Sequence, residues 1–254
     1  MTTEVSYSAP KQPPRILLLQ ARRQDDPALP EERVSFAARA GLPLDAFVPH
    51  DLLSGPPALE EARMASALMV GGSGEYFVSK GDLPRFEETL AFFRAVVAES
   101  LPLFASCFGF HLLTAALGGE VIYDPEGIQI GTHELTLTRE GADDELLGIL
   151  PREFAAQLGR KDRASRLPPG AVHLASSREA PYQAFRLRGK PIWATQFHPE
   201  LTRSENLMRF KRYAEIYTQT MTPAERQAAF DGFHESPHTA ALIPKFLELL
   251  DSID

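Results

Sequence analysis

Residues 101–119 read LPLFASCFGFHLLTAALGG, a stretch with no Asp, Glu, Lys or Arg. A run of that length is about enough to cross a bilayer. Pro102, Gly109, His111 and the Gly118-Gly119 pair interrupt it, however. All four interruptions are accommodated by a buried strand, Leu103-Phe104-Ala105, that turns at once into a buried helix, Phe108–Leu117. A strand and a helix that are both apolar all round need neighbours on every side, which a layered α/β fold supplies. The membrane reading is rejected on this ground.

The rest of the chain repeats the theme. Ile16-Leu17-Leu18-Leu19, Ala46-Phe47-Val48 and Ala67-Leu68-Met69-Val70 are short apolar runs suited to parallel strands. Helices are predicted between them at Glu31–Ala40, with Pro30 at its start and Gly41 at its end, and at Ala58–Ala65. A long amphipathic helix follows over Pro84–Ser100, with Phe86, Leu90, Phe93 and Val97 on its apolar face. Alternating strands and helices predict a mainly parallel sheet covered on both faces. From Val121 to Leu187 the elements shorten, with strands predicted at His133–Thr138 and Val172–Ala175. Gln183–Leu187 and Pro191–Phe197 read as a hairpin through Arg188-Gly189-Lys190. Ser204–Thr220 is predicted as a helix with Ser204 as N-cap, followed by helices over Pro223–Phe233 and Thr239–Ser252. The expected organisation is a loose tail over 1–14, one domain over 15–220, and a helical extension over 221–254 packed on that domain.

Composition excludes several classes of function. The formal charge of −8 comes without any basic cluster, so a nucleic-acid partner is not expected. With 44% apolar and 24% charged residues, the chain is of ordinary globular type. It has a single cysteine, and the N-terminus MTTEVSYSAPKQPPR has no apolar secretory core, which points to a reducing cytoplasm. The seven histidines show no metal-site spacing; His234 and His238 are separated by the Ser236-Pro237 break. No G-x-x-x-x-G-K phosphate loop occurs. Neither a metal nor a cofactor is expected.

Cys107 lies where a predicted parallel strand gives way to a helix, the end of the sheet at which α/β proteins bind ligands. A helix N-terminus favours a thiolate and can hold an oxyanion. Ala105-Ser106-Cys107-Phe108-Gly109 has the small residues a tight strand-to-helix turn needs, and shares its last glycine with the nucleophile-elbow pattern. A lone cysteine is equally at home as a small buried apolar group, so the nucleophile reading needs a base. His198 offers one. It follows the predicted strand Trp193–Phe197, Pro199 turns the chain there, and Glu200 stands two residues on to orient the imidazole. Gly71-Gly72-Ser73-Gly74 closes a third strand end, where backbone N–H groups can approach a ligand. With the N–H of Phe108 this loop makes a two-donor oxyanion hole.

These motifs identify a resemblance. Cys107-Phe108-Gly109 and Gln196-Phe197-His198-Pro199-Glu200 resemble the class I, triad-type glutamine amidotransferases, most closely stand-alone members similar to the amidotransferase domain of GMP synthase. The likeness runs from about Ile16 to about Tyr217. It implies a flavodoxin-like sheet with helices on both sides. It also implies that Cys107 attacks the glutamine side-chain amide, that His198 serves as general acid and base, and that Glu200 orients His198. Gly72 and Phe108 are then the oxyanion donors, and Gly71 and Ser73 border the substrate.

Two positions depart from the family. The elbow commonly reads Cys-x-Gly-x-Gln, and His111 stands here for the Gln. Within Gln157-Leu158-Gly159-Arg160-Lys161-Asp162, Arg160 stands where a His commonly precedes the Asp by two residues. Gln157, Leu158, Gly159 and Arg160 are expected near the substrate, since backbone of this segment contacts its α-groups in the family. His111 is expected to make binding pH-sensitive near its ordinary pKa of about 6.5. Only 54 residues follow Glu200, too few for a synthase domain. The expected partners are therefore L-glutamine, or a related γ-glutamyl compound, and a separate ammonia-accepting synthase subunit. The alternatives are a hydrolase of other γ-glutamyl compounds and a non-catalytic binding homologue.

Overall fold

The computed structural model describes residues 14–218 and 221–251. The expected tail lies outside the described residues except for Pro14, as do Thr220 and Ser252. In chain order the elements are β1 (Ile16–Ala21), α1 (Ala28–Ala40), β2 (Phe47–Asp51), α2 (Leu59–Arg63), β3 (Ala67–Ser73), α3 (Phe86–Ala98), β4 (Leu103–Ser106) and α4 (Phe108–Ala116). Then follow β5 (Glu120–Tyr123), β6 (Gln129–Leu137), α5 (Arg139–Ala142), β7 (Glu153–Arg160), β8 (Asp162–Arg166), β9 (Ala171–Ser176), β10 (Ala184–Leu187) and β11 (Ile192–Thr195). Four helices close the chain: α6 (Arg203–Arg212), α7 (Ala214–Thr218), α8 (Pro223–Asp231) and α9 (Leu242–Leu250).

The main sheet runs β2-β1-β3-β4-β11-β10-β9-β6-β7, and β5 pairs with β8 apart from it. Strands β2, β1, β3, β4 and β11 are mutually parallel, and β10, β9, β6 and β7 extend the sheet antiparallel. The fold is thus a flavodoxin-like α/β layer whose central strands are parallel. The predicted hairpin forms between β10 and β11.

Side chains alternate across each strand, and two cores follow from that. Ile16 and Leu18 of β1, Met69 of β3, Phe104 of β4 and Trp193 of β11 face one side, where they meet Phe36 of α1 and Phe246 of α9. Leu17, Leu19, Leu68, Val70, Leu103, Ala105 and Ala194 face the other, against Phe93 of α3 and Leu112 of α4. The Phe246 ring lies 5.5 Å from Phe104 and 6.0 Å from Trp193 between centroids. Every apolar position of the central strands is therefore covered, which explains why these strands lack polar alternation. Among the described residues no helix is long and apolar enough to cross a membrane.

Two predicted helix limits shift. Thr202, not Ser204, caps α6: its hydroxyl accepts from Glu205 N at 3.2 Å while the Glu205 carboxylate accepts from Thr202 N at 2.7 Å. That reciprocal pair begins the helix one residue early and places Ser204 inside it. The predicted helix over 204–220 also breaks at Tyr213, whose hydroxyl is held by Arg22 and Asp26.

Candidate active site

Cys107 sits between β4 and α4 with φ 50° and ψ −100°, an unfavourable backbone conformation for a residue with a side chain. The turn is held on both sides: Cys107 N donates to Thr195 O at 2.8 Å, and His111 N donates back to Cys107 O at 3.1 Å. Gly109 is required for this packing, because a Cβ there would meet Val70 Cβ at 2.7 Å. The helix can then start directly against β3, with its first N–H groups facing the strand ends.

β11 runs beside β4 and delivers His198 next to Cys107. His198 N donates to Gln157 O at 2.9 Å, and its Nδ1 shares a 2.6 Å hydrogen bond with Glu200 Oε1. Cys107 is the other group that favours the charged imidazole. Burial disfavours the His198 cation, but Cys107 and Glu200 outweigh it and raise the pKa to about 10. Glu200 is fully buried and stays below the usual carboxylate range, because His198 and Arg209 overcome its desolvation. Gly72 lies against the same ring: a Cβ on it would come within 2.8 Å of His198 Cε1. The backbone of the Gly71–Gly74 loop therefore borders the imidazole as only a glycine loop can.

Two cavities of about 30 Å³ each meet around these groups. One is lined by Cys107, Phe108, His111, Arg160 and Asp162, the other by Gly72, Leu158, His198, Arg22 and Arg209; Ser73, Gly159 and Tyr217 border both. Gly159 O is 4.0 Å from Cys107 Sγ and accepts from the Tyr217 hydroxyl at 2.9 Å. Tyr213 presses on Gly74. Tyr217, on α7, thus lines both cavities, while Tyr213, before α7, packs on the glycine loop.

The predicted residues divide. Cys107, Phe108, Gly72, Ser73, His111, Leu158, Gly159, Arg160 and His198 come together at the cavities, with Glu200 directly behind. Gln157 lines neither cavity, and its side chain bonds Ser236 Oγ at 3.0 Å, His234 O at 2.8 Å and Asn206 Nδ2 at 3.0 Å. Gly71 also stands outside the lining, packed on Glu32. The expected titration of His111 near 6.5 is overturned too. Burial lowers its pKa to about 4 despite Asp162 and Gln196, and its Nε2 donates to Gln196 Oε1 at 2.6 Å. Arg160 is buried; its Nε and Nη2 donate to Gln129 Oε1 at 3.0 and 2.6 Å, and Nη1 has no partner among the described residues.

The sequence reading missed Arg22, Arg209, Asn206, Tyr213 and Tyr217. Arg22 follows the end of β1, so the strand-end rule that picked Cys107 and His198 could have found it. The others lie on or between α6 and α7, and only the fold of those helices over the sheet brings them in.

A GMP synthase (glutamine-hydrolyzing) from Thermosipho africanus is 32% identical over 126 residues, covering 49% of this chain and 24% of that protein. A glutamine-hydrolyzing GMP synthase subunit from Methanocaldococcus jannaschii is 33% identical over 105 residues, covering 41% of this chain and 54% of the relative. The chain thus matches well under two thirds of the length of either. A solved glutamine amidotransferase from Thermotoga maritima superposes with a TM-score of 0.69 at 17% identity, covering 92% of this chain and 97% of that one, a likeness of fold. The model of the "Glutamine amidotransferase class-I" family matches residues 58–213, more than half of the chain and the stretch that carries β3, the Cys107 turn and Glu200. By that match this protein belongs to the class I glutamine amidotransferase family.

Proposed function

We propose that this glutamine amidotransferase releases ammonia from the glutamine side chain through a γ-glutamyl thioester on Cys107. The observation that carries the reading is a strained cysteine at a helix N-terminus, electrostatically coupled to a buried histidine that a buried carboxylate holds at 2.6 Å. The Cys107 thiolate attacks the carboxamide carbon, and the carbonyl electrons move onto oxygen, toward the N–H groups of Gly72 and Phe108. The His198 imidazolium gives its proton to the departing nitrogen as the C–N bond breaks, and ammonia leaves. Neutral His198 then takes a proton from water, whose hydroxide opens the thioester. Glutamate is released and the ion pair is restored. Glu200 stabilises the imidazolium throughout without exchanging protons.

The GMP synthase likeness supports a separate synthase as the acceptor of ammonia. As the family resemblance implies for a stand-alone subunit, isolated activity is expected to be low and to rise with the partner. Arg160 favours a second reading, hydrolysis of other γ-glutamyl compounds, because its uncommitted Nη1 can take an additional acceptor. Ammonia release from glutamine, measured against a panel of γ-glutamyl amides and peptides with Cys107→Ala as control, decides between them. Preference for glutamine supports the first reading, and preference for a larger compound the second.

A further inference from the structure

Gly71 and Gly72 stand where the sheet stops holding β3. Strand β1 pairs Leu19 with Val70 and then Ala21 with Ser73, so β3 carries one residue more than β1 between those points. On the other side, the pairing with β4 ends at Val70 with Ala105. Neither glycine has a registered partner on β1 or β4 among the described residues. A bulge of this kind re-aims the backbone but interrupts the ladder that would fix it. Other groups have to hold Gly72 against His198.

Side chains from three separate places do so. Glu32 of α1 abuts Gly71, where a Cβ would come within 2.8 Å of Glu32 Cδ. Tyr213, after α6, abuts Gly74, where a Cβ would come within 2.6 Å of Tyr213 Cε1. Arg22, directly after β1, joins the two: its Nη2 donates to Glu32 Oε1 at 3.2 Å and its Nη1 to the Tyr213 hydroxyl at 2.9 Å. The outer partners are held in turn. Glu32 Oε2 accepts from Gln20 Nε2 at 3.0 Å, and the Tyr213 hydroxyl donates to Asp26 Oδ2 at 2.5 Å. Between them the guanidinium passes Gly72, on which a Cβ would lie 3.6 Å from Arg22 Nη2. Arg22 and Glu32 are both buried, so loss of either would leave the other as an uncompensated charge.

We propose that Arg22 is a positioning residue that clamps the Gly71–Gly74 loop from both ends, through Glu32 and Tyr213, and so sets the Gly72 N–H where the oxyanion forms. The proposal rests on the reading of Cys107 as nucleophile and of Gly72 and Phe108 as donors given above. The planar fork matters, because its two nitrogens reach acceptors on opposite sides, which the single nitrogen of a lysine does not. Donors stabilise an oxyanion fully only when they are in place before the charge develops. The clamp should therefore be felt in kcat and not in KM.

The test uses the full chain and compares ammonia release from glutamine with alkylation of Cys107 by iodoacetamide. Alkylation displaces iodide from a saturated carbon and builds no oxyanion, so it reports on the thiolate without the hole. Arg22→Met should lower kcat per alkylatable Cys107 about thirtyfold, with KM and the alkylation rate each within about twofold of the wild type. Arg22→Lys keeps the charge without the fork and should recover no more than about threefold of that loss. Tyr213→Phe keeps the ring on Gly74 and removes the hydroxyl link, so kcat should fall about threefold; added to Arg22→Met it should cost little more, because the link is already cut. If Arg22→Met does not fold, Arg22→Lys and Tyr213→Phe carry the test. An unchanged kcat, an equal fall in turnover and alkylation, a loss confined to KM, or full recovery in Arg22→Lys would each overturn the proposal. Retained ammonia release by Cys107→Ala would remove the nucleophile reading instead, so the two failures are distinguishable.

Discussion

His198 and His111 both lie buried beside Cys107, and the protein gives them opposite proton affinities. His198 is raised to about 10 and His111 is lowered to about 4. Burial disfavours the cation in each. Each has a 2.6 Å hydrogen bond to an oxygen of the same short segment, Gln196 for His111 and Glu200 for His198. The difference lies in the neighbouring charges: at His198, Cys107 joined by the Glu200 carboxylate outweighs desolvation, whereas at His111 Asp162 and the Gln196 amide leave desolvation dominant. The segment Gln196–Glu200 thus prepares one histidine to carry a proton and keeps the other neutral in the wall of the cavity.

The comparison can be broken at its centre first. Cys107→Ala should fold normally and lose activity by at least about 10⁴-fold, as loss of a covalent nucleophile requires. Retained hydrolysis would remove the chemical meaning of the asymmetry. His198→Asn should cost at least about 10³-fold, within the range for general acid–base groups, while alkylation of Cys107 persists at a reduced rate.

Glu200→Gln makes the surroundings of His198 resemble those of His111. We expect a loss of about 10²-fold in kcat, with the imidazole pKa falling well below 10 when followed by NMR. A histidine still charged at neutral pH in that variant would show that Cys107 alone sets its affinity.

His111 sharpens the other side. Its folded pKa of about 4 lies below the ordinary 6.5, so the folded state binds fewer protons than the unfolded chain between those values. The stabilising contribution is complete above pH 6.5 and is lost as pH falls through 4, at most about 3 kcal/mol. The Tm of the wild type should therefore drop more steeply over that window than the Tm of His111→Gln. Equal slopes would mean that His111 is not held neutral. The smallest effect is on substrate. His111→Gln should lower KM for glutamine about fivefold, one hydrogen bond or ~1 kcal/mol, with kcat little changed. In the wild type KM should be flat between pH 5.5 and 8, and a step near 6.5 would contradict the buried, neutral imidazole.

Much of this site was legible in the chain because it is built at strand ends. Cys107, His198 and the Gly71–Gly74 loop each follow an apolar run, and parallel strands place their C-terminal ends on one edge. The neighbours of the Gln157 side chain were not legible, because a strand residue contributes its backbone and its side chain to different neighbours. Its carbonyl receives His198 N while its amide turns to Ser236 and His234. His111 was placed correctly on the face of α4 that carries Cys107, but its titration was not foreseen. Burial depends on residues distant in sequence: Gln196 is 85 positions away.

Local pattern by itself determined the parallel strands, the turn at Cys107 and the pairing of a histidine with a carboxylate two residues later, because each depends on backbone preference and short spacing. The tertiary structure alone decided which histidine keeps a proton and that Tyr217 lines both cavities at the site. Those properties arise from desolvation and from charges on separate elements, and their strength follows distances that only the packed fold defines.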